Sequence, residues 1–227
     1  MRLFISINLP EEFNRYFREL QRRLDECANL NLSHAGRKSG FHLTLVFLGD
    51  VDFESAKKIQ DMLKTVDFES FTLRLGKKLN VFKGFDGGVK TVFVDIDPLS
   101  SGFAALLNLQ KRVADVVEKW RIGKFDSGEK SEIENFDGTK EERVENLGTE
   151  FDVGGRSVNY AEKFVPHLTL TRVKFCPKNI SEKFVSEISR VEIEQKEFKV
   201  DSFYLMESRL GPGGSVYSEI LRRSAGG

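Results

Sequence analysis

Histidine, cysteine and tryptophan are scarce in this sequence: three His, two Cys (Cys27 and Cys176) and one Trp in 227 residues. Two cysteines cannot build a disulfide framework. There is also no Cys-x-x-Cys pair and no histidine pair at helical ligand spacing, so no metal site and no cofactor are expected. The cysteines read as reduced thiols of a cytoplasmic protein. No run of 18 apolar residues occurs, so no membrane-spanning helix and no membrane partner are expected. The opening MRLFISINLPEEF has too short an apolar run for a secretory leader, with Glu11 and Glu12 directly behind it, and reads as a first strand. No charge of one sign dominates. Lys+Arg 35 against Asp+Glu 35 gives a net charge of 0, which excludes a protein held on nucleic acid or anionic lipid by bulk charge but leaves room for a local basic cleft. No Gly-rich loop joins a strand to a helix in the manner of phosphate-cradling nucleotide folds.

Phenylalanine is abundant instead, at 20 residues, and most of it is expected in the sizeable core that a chain of this length can bury. Residues 2–8 alternate as a strand. Pro10, Glu11 and Glu12 then open an amphipathic helix carrying Phe13, Phe17, Leu20 and Leu24, running to about residue 27. Polar residues 29–40 read as a loop, 41–48 (FHLTLVFL) as a strand and 53–66 as a helix. Two strands, 70–82 and 89–96, flank a loop with strong turn signals, Lys83 to Gly88. A long helix is expected over 99–120, a strand over 164–171 and a helix over 178–189. Strands over 191–206 and 215–222 close the chain. This order is α+β.

Residues 121–163 stand apart. They hold 11 acidic and 7 basic residues, a local charge of −4, and six of the 19 glycines, with no sustained apolar period. They read as an inserted surface excursion, with a lid over the active site as the alternative.

The chemistry is carried by a repeat. Two of the three histidines open the same tetrapeptide: His42-Leu43-Thr44-Leu45 and His167-Leu168-Thr169-Leu170. A second His followed by Leu-Thr-Leu arises by chance on the order of one time in a thousand or less. A lone His-x-Thr on a strand is ordinary, since threonine is a good strand former, but two matching copies among three histidines are not. On a strand, residues i and i+2 share a face. Each element therefore presents an imidazole beside a hydroxyl, and its leucines point the other way into a core. Facing each other across a cleft, two such elements suit metal-free phosphodiester chemistry. One neutral imidazole takes a proton from water, the other, protonated, gives one to the departing oxygen, and the hydroxyls hold the phosphate oxygens. Arg172, just past the second motif, is placed to add a charge-assisted contact.

With its paired motifs, the opening RLFISINLP, the blocks FHLTLVFLGDV and VPHLTLTRV and the ending MESRLGPGGSVYSEI, the sequence resembles the 2H phosphoesterase superfamily. More narrowly it is similar to the RNA 2′,3′-cyclic phosphodiesterases, historically called 2′-5′ RNA ligases. The resemblance implies a bilobal α+β fold, with two antiparallel sheets lining a central cleft, helices outside and an approximate two-fold relation, over one domain interrupted by the insert. It implies hydrolysis of an RNA 2′,3′-cyclic phosphate to a 2′-phosphate, with RNA ends such as those of tRNA fragments as partners and a monomeric protein. By analogy His42 is the general acid and His167 the general base, and Thr44, Thr169 and Arg172 hold the phosphate. Phe4 and Phe82 are candidate base contacts, although the abundance of Phe makes core packing the favoured reading of both. His34, Arg37 and Lys38 form a candidate basic rim for RNA phosphates. The sequence departs from the family in the extra length at 121–163 and in a loop 83–90 without the prolines common in relatives. Two alternatives share the same residues: ligation of a cyclic end to a 5′-hydroxyl, and a non-catalytic module that binds RNA ends.

Overall fold

A computed structural model describes residues 1–27, 32–36, 40–126, 164–176, 178–211 and 214–226. The elements run β1 (Arg2–Asn8), α1 (Glu12–Cys27), β2 (Leu32–His34), β3 (His42–Asp50), α2 (Phe53–Leu63), β4 (Phe71–Lys83), β5 (Val89–Ile96), α3 (Phe103–Asp126), β6 (His167–Val173), α4 (Lys178–Ile188), β7 (Glu197–Val200), β8 (Ser202–Gly211) and β9 (Gly214–Ser224). The fold is α+β, as expected. Its strands pair antiparallel in the order β7-β4-β5-β6-β3-β1-β8-β9, with β2 added beside β6.

That order is symmetric about its centre. Exchanging β1 with β5, β3 with β6, β4 with β8 and β7 with β9 reverses the list and leaves it unchanged. The chain is thus two β-α-β-α-β repeats, β1-α1-β3-α2-β4 and β5-α3-β6-α4-β8. Each delivers its last strand to the other's half of the sheet, since β4 pairs with β5 and β8 with β1. The helices interlock in the same way: α1 packs on β6 and α4, and α3 on β3 and α2. The two half-sheets meet at one residue pair, Leu43 opposite Leu168, the second residues of the two motifs. The two expected sheets are therefore halves of one continuous curled sheet.

Alternation decides which face meets the helices. Leu3, Ile5 and Ile7 of β1, Leu43 of β3 and Leu168 of β6 are buried with Phe13, Phe17, Leu20 and Leu24 of α1 and Leu106, Leu109, Val113 and Val117 of α3. Each fully buried side chain of this kind contributes about 1.5–3 kcal/mol relative to exposure. Helix α2 begins where Asp52 caps it, its Oδ1 accepting from the Ser55 backbone N–H at 2.8 Å.

Three expectations are corrected. Within the expected loop 29–40, Leu32–His34 form β2, which uses the edge of β6 left open beyond its brief contact with β3 and pairs Leu32 with Val173 and His34 with Thr171. The expected strand 191–206 is two strands in opposite halves, β7 on β4 and β8 on β1, with only Asp201 between them. Helix α3 continues through 121–126, six residues read from sequence as the start of the excursion. The rest of that segment, and with it the lid alternative, lies outside the described residues. No helix among the described residues is long and apolar enough to cross a membrane.

Candidate active site

Strands β3 and β6 are antiparallel and meet at Leu43 and Leu168, both fully buried on the helix side. Their flanking residues His42, Thr44, His167 and Thr169 therefore project from the opposite, concave face of the sheet, and all four are half-buried there. This is the arrangement the repeat predicts.

Each motif ends in the same irregularity. On β3 the register steps from Ser6–Thr44 to Ile5–Val46, leaving Leu45 extra, and on β6 it steps from Phe93–Thr169 to Val92–Thr171, leaving Leu170 extra. A β-bulge of this kind re-aims the side chains beyond it. Leu45 and Val46 are consecutively buried, as are Leu170 and Thr171, so Phe47 and Arg172 emerge on the face of Thr44 and Thr169. Strict alternation would have put Arg172 on the far side. The β6 bulge is tied down from beneath. Buried Gln21 of α1 donates from Nε2 to the Leu170 carbonyl at 2.7 Å and to the Ala35 carbonyl at 2.8 Å, and the Ala35 N–H also donates to Leu170 O at 2.9 Å. Thr171 Oγ1 donates to Ser33 O at 3.0 Å, fastening β2.

Each imidazole packs against two aromatic rings that also touch each other. His42 lies 5.1 Å from Phe4 and 5.0 Å from Tyr217, centroid to centroid. His167 lies 4.9 Å from Phe82 and 5.2 Å from Phe93, which stack on each other at 4.2 Å. Phe4 is thus both core and wall: it is 4% exposed yet packs on His42, with Phe47 at 6.3 Å beyond it. Across the strands, His42 stands opposite Asn8 and His167 opposite Asp95. Asp95 pairs with the Asn80 amide, and burial raises its carboxyl above the ordinary range.

Protonation differs between the two. His167 Nδ1 lies 2.8 Å from the Val165 carbonyl. A carbonyl only accepts, so Nδ1 carries the hydrogen and Nε2 is left as the free nitrogen. Burial lowers the pKa of His167, and this hydrogen bond opposes the shift. Burial pushes His42 down to about 4, helped by the positive charges of Arg172 and His167. The two histidines and Arg172 are thus within electrostatic reach of one another.

Of the sequence-predicted residues, His42, Thr44, His167, Thr169, Arg172, Phe4 and Phe82 come together here. The side chain of His34, and Arg37 and Lys38, lie outside the described residues, although the backbone of β2 carries His34 opposite Thr171, next to Arg172. Tyr217, Phe93, Phe47 and Asp95 were missed as site residues. Tyr217 was visible within the ending block, but its approach to His42 needs the curl of β9, β8 and β1 over three strands. A pocket of about 390 Å³ lined by Arg74, Lys77, Lys78, Asn80, Asp95 and Gln195 adjoins the site at Asp95 and includes none of the predicted residues. Among the described residues, no three His, Cys, Asp or Glu side chains are grouped so as to hold a metal ion.

Known proteins resemble this chain over nearly its whole length. The family model for LigT-like phosphoesterases matches residues 7–85 and 138–217. A curated protein of Thermotoga maritima, an RNA 2′,3′-cyclic phosphodiesterase, is 28% identical over 220 residues, covering 97% of this chain and 93% of its own. One of the same name from Methanocaldococcus jannaschii is 24% identical over 221 residues, covering 97% and 98%. Among solved structures, a Thermus thermophilus protein superposes with a TM-score of 0.63 at 24% identity, covering 99% of this chain and 97% of its own. E. coli LigT complexed with 3′-AMP superposes with a TM-score of 0.57 at 19% identity, covering 99% and 96%.

Proposed function

This chain belongs to the family of LigT-like phosphoesterases, and from that premise we propose that it hydrolyses the 2′,3′-cyclic phosphate at an RNA end to a 2′-phosphate without a metal. The observation that carries the proposal is the seam between the half-sheets. Pairing Leu43 with Leu168 sets two imidazoles and two hydroxyls on one concave face, with Arg172 beside them. In the reaction, a water oxygen bonds to phosphorus as one imidazole takes its proton. The P–O3′ bond breaks, and the other imidazole, as imidazolium, protonates O3′. One water is consumed, and a 2′-phosphate and a 3′-hydroxyl result. The Thr44 and Thr169 hydroxyls and the Arg172 guanidinium bind the non-bridging oxygens, where negative charge is concentrated. The curated relatives' shared name supports an RNA cyclic phosphate as the substrate. The same reading takes the protein as a cytoplasmic monomer acting on ends such as those of tRNA fragments.

The division of labour has two readings. Analogy makes His42 the acid and His167 the base. The electrostatics of the ligand-free cleft favour the reverse. His42, depressed to about 4 by burial and then by Arg172, stands neutral and ready to accept, whereas on His167 burial also lowers the pKa but the Val165 carbonyl opposes that shift.

The test is turnover of a short RNA with a 2′,3′-cyclic end, chelator present, beside the His42→Ala/His167→Ala double variant. Release of a 2′-phosphate by the wild type alone is expected. Loss of activity with chelator would remove the metal-free mechanism, and a 3′-phosphate product would reverse the leaving group. Binding without turnover would favour the end-binding module.

A further inference from the structure

The two-fold arrangement gives the cleft two equivalent ends, and their chemistry is opposite. Past Arg172, β6 runs out through exposed Lys174 and Phe175, the latter 70% exposed, to Lys178 at the start of α4. Between 172 and 178 there are three cations and no acid. Past Phe47, the related end of β3 runs through Asp50, Asp52, Phe53 and Glu54, with Phe53 73% exposed, and between 47 and 56 there are three acids and no cation.

The β4–β5 loop completes the basic end. Gly88 backs onto the chain after β6 so closely that a Cβ there would lie 2.2 Å from the Cys176 carbonyl oxygen, and Gly87, at φ +75°, lies against the Lys178 side chain. A residue with a side chain at 88 would push the loop off. The contact holds Phe85, 99% exposed, and Lys83 on the same rim as Phe175 and Lys174. Asp86, the acid in this loop, is taken by Lys90 at 3.0 Å. Lys83, Lys174 and Lys178 have no ion-pair partner among the described residues.

We propose that this rim (Phe85 and Phe175 with Lys83, Lys174 and Lys178) is the path of the single-stranded RNA that precedes the cyclic end. The inference rests on the proposed function and adds where the body of the substrate lies. Exposed aromatic rings cost solvation unless something stacks on them, and every base has a face to stack. Interleaved lysines follow a phosphate backbone. The rim is continuous with the cleft through Arg172, whose Cα is paired with Thr91 at the start of β5. At the related end Arg2 stands opposite Asp50 and Arg121 reaches the Phe47 carbonyl, but the chain there carries acids in place of the lysines and so gives a polyanion less support.

The experiment compares two substrates, adenosine 2′,3′-cyclic phosphate and an unstructured oligonucleotide of about eight nucleotides with the same end. Phe85→Ala and Phe175→Ala are each expected to lower kcat/KM for the oligonucleotide about tenfold while leaving the mononucleotide unchanged. Phe53→Ala, at the related end, leaves both unchanged. In a binding titration with a fluorescent oligonucleotide, each of Lys83→Gln, Lys174→Gln and Lys178→Gln reduces the slope of log K against log salt by about 0.7. Equal losses on both substrates, no loss on the oligonucleotide, or an effect of Phe53→Ala as large as that of Phe85→Ala overturns the path. Failure of the wild type on both substrates overturns the proposed function instead, and the titration then still decides the rim.

Discussion

The strands β3 and β6 carry the same tetrapeptide, the same bulge and a histidine packed against a pair of touching aromatic rings, yet they end differently. Five residues after His42 comes Phe47; five after His167 comes Arg172. One strand thus gives the cleft a hydrocarbon wall, and the other gives it a fixed positive charge. Burial is the larger cause of the low His42 pKa and that charge adds to it across the seam, while on His167 the Val165 carbonyl opposes the shift. Identical local sequence therefore yields two imidazoles of unequal basicity. An acid–base pair needs this inequality, because one member must hold a proton while the other lacks it.

The comparison breaks most severely when either histidine is removed. His42→Ala and His167→Ala are each expected to lower kcat by about 10²- to 10⁴-fold, the scale of lost proton transfer. A single variant that keeps near-full rate would make the symmetry of the site ornamental. A substrate whose 3′-bridging oxygen is replaced by sulfur sharpens the comparison, because a thiolate leaves without a proton. The variant lacking the acid should recover with it and the variant lacking the base should not. Rescue of His167→Ala alone would establish the electrostatic reading, and rescue of His42→Ala alone the reading by analogy.

Arg172→Gln should cost about 10²-fold in kcat/KM, from the lost contact to the phosphate. It should also raise the His42 pKa, read by NMR titration of the imidazole. An unmoved His42 would mean that the cation does not act across the seam. Phe47→Gln, at the related position, should leave that titration in place.

The smallest effect is on stability. Unfolded, His42 takes up its proton near 6.5; folded, it does so only near 4. Between those values the unfolded state binds more protons, so this contribution is complete above about 6.5 and is lost as the pH falls towards 4. The unfolding midpoint of the wild type should decline over that window more steeply than that of His42→Ala. Parallel curves would show that the imidazole is not desolvated.

Much of the site is legible in the sequence because strand alternation is a rigid rule. Once His42 and His167 are placed on strands, Thr44 and Thr169 follow onto their faces, and the leucines onto the other. Helix α1 is legible for the same reason, since Phe13, Phe17, Leu20 and Leu24 mark a period that only one element satisfies. The bulges are not legible, because Leu45 and Leu170 look like ordinary strand residues and their extra turn is fixed by partners far off in sequence. Gln21 holding the Leu170 carbonyl is one of these. Nor is the crossing at Asp201, where a single residue separates strands in opposite halves. Its neighbours Val200 and Ser202 suit an uninterrupted strand, and only competition among the edges of β1 and β4 decides the break. Tyr217 meets His42 because the sheet curls, and curvature is not encoded in a period.

The exchange of last strands between the repeats bears on the protein's birth. During synthesis the first motif strand emerges early with β1 beside it, but β1 waits for β8, which lies near the end of the chain. The hairpin β4–β5 likewise waits for β6. Neither half-sheet is complete until the other repeat has been made, so long-range pairing must come late and loop closure is costly. A ribosome halted before Ser202 would hold both histidines in a chain whose β1 still has an open edge. Full rate in the proposed reaction should therefore appear only when the last two strands have been released.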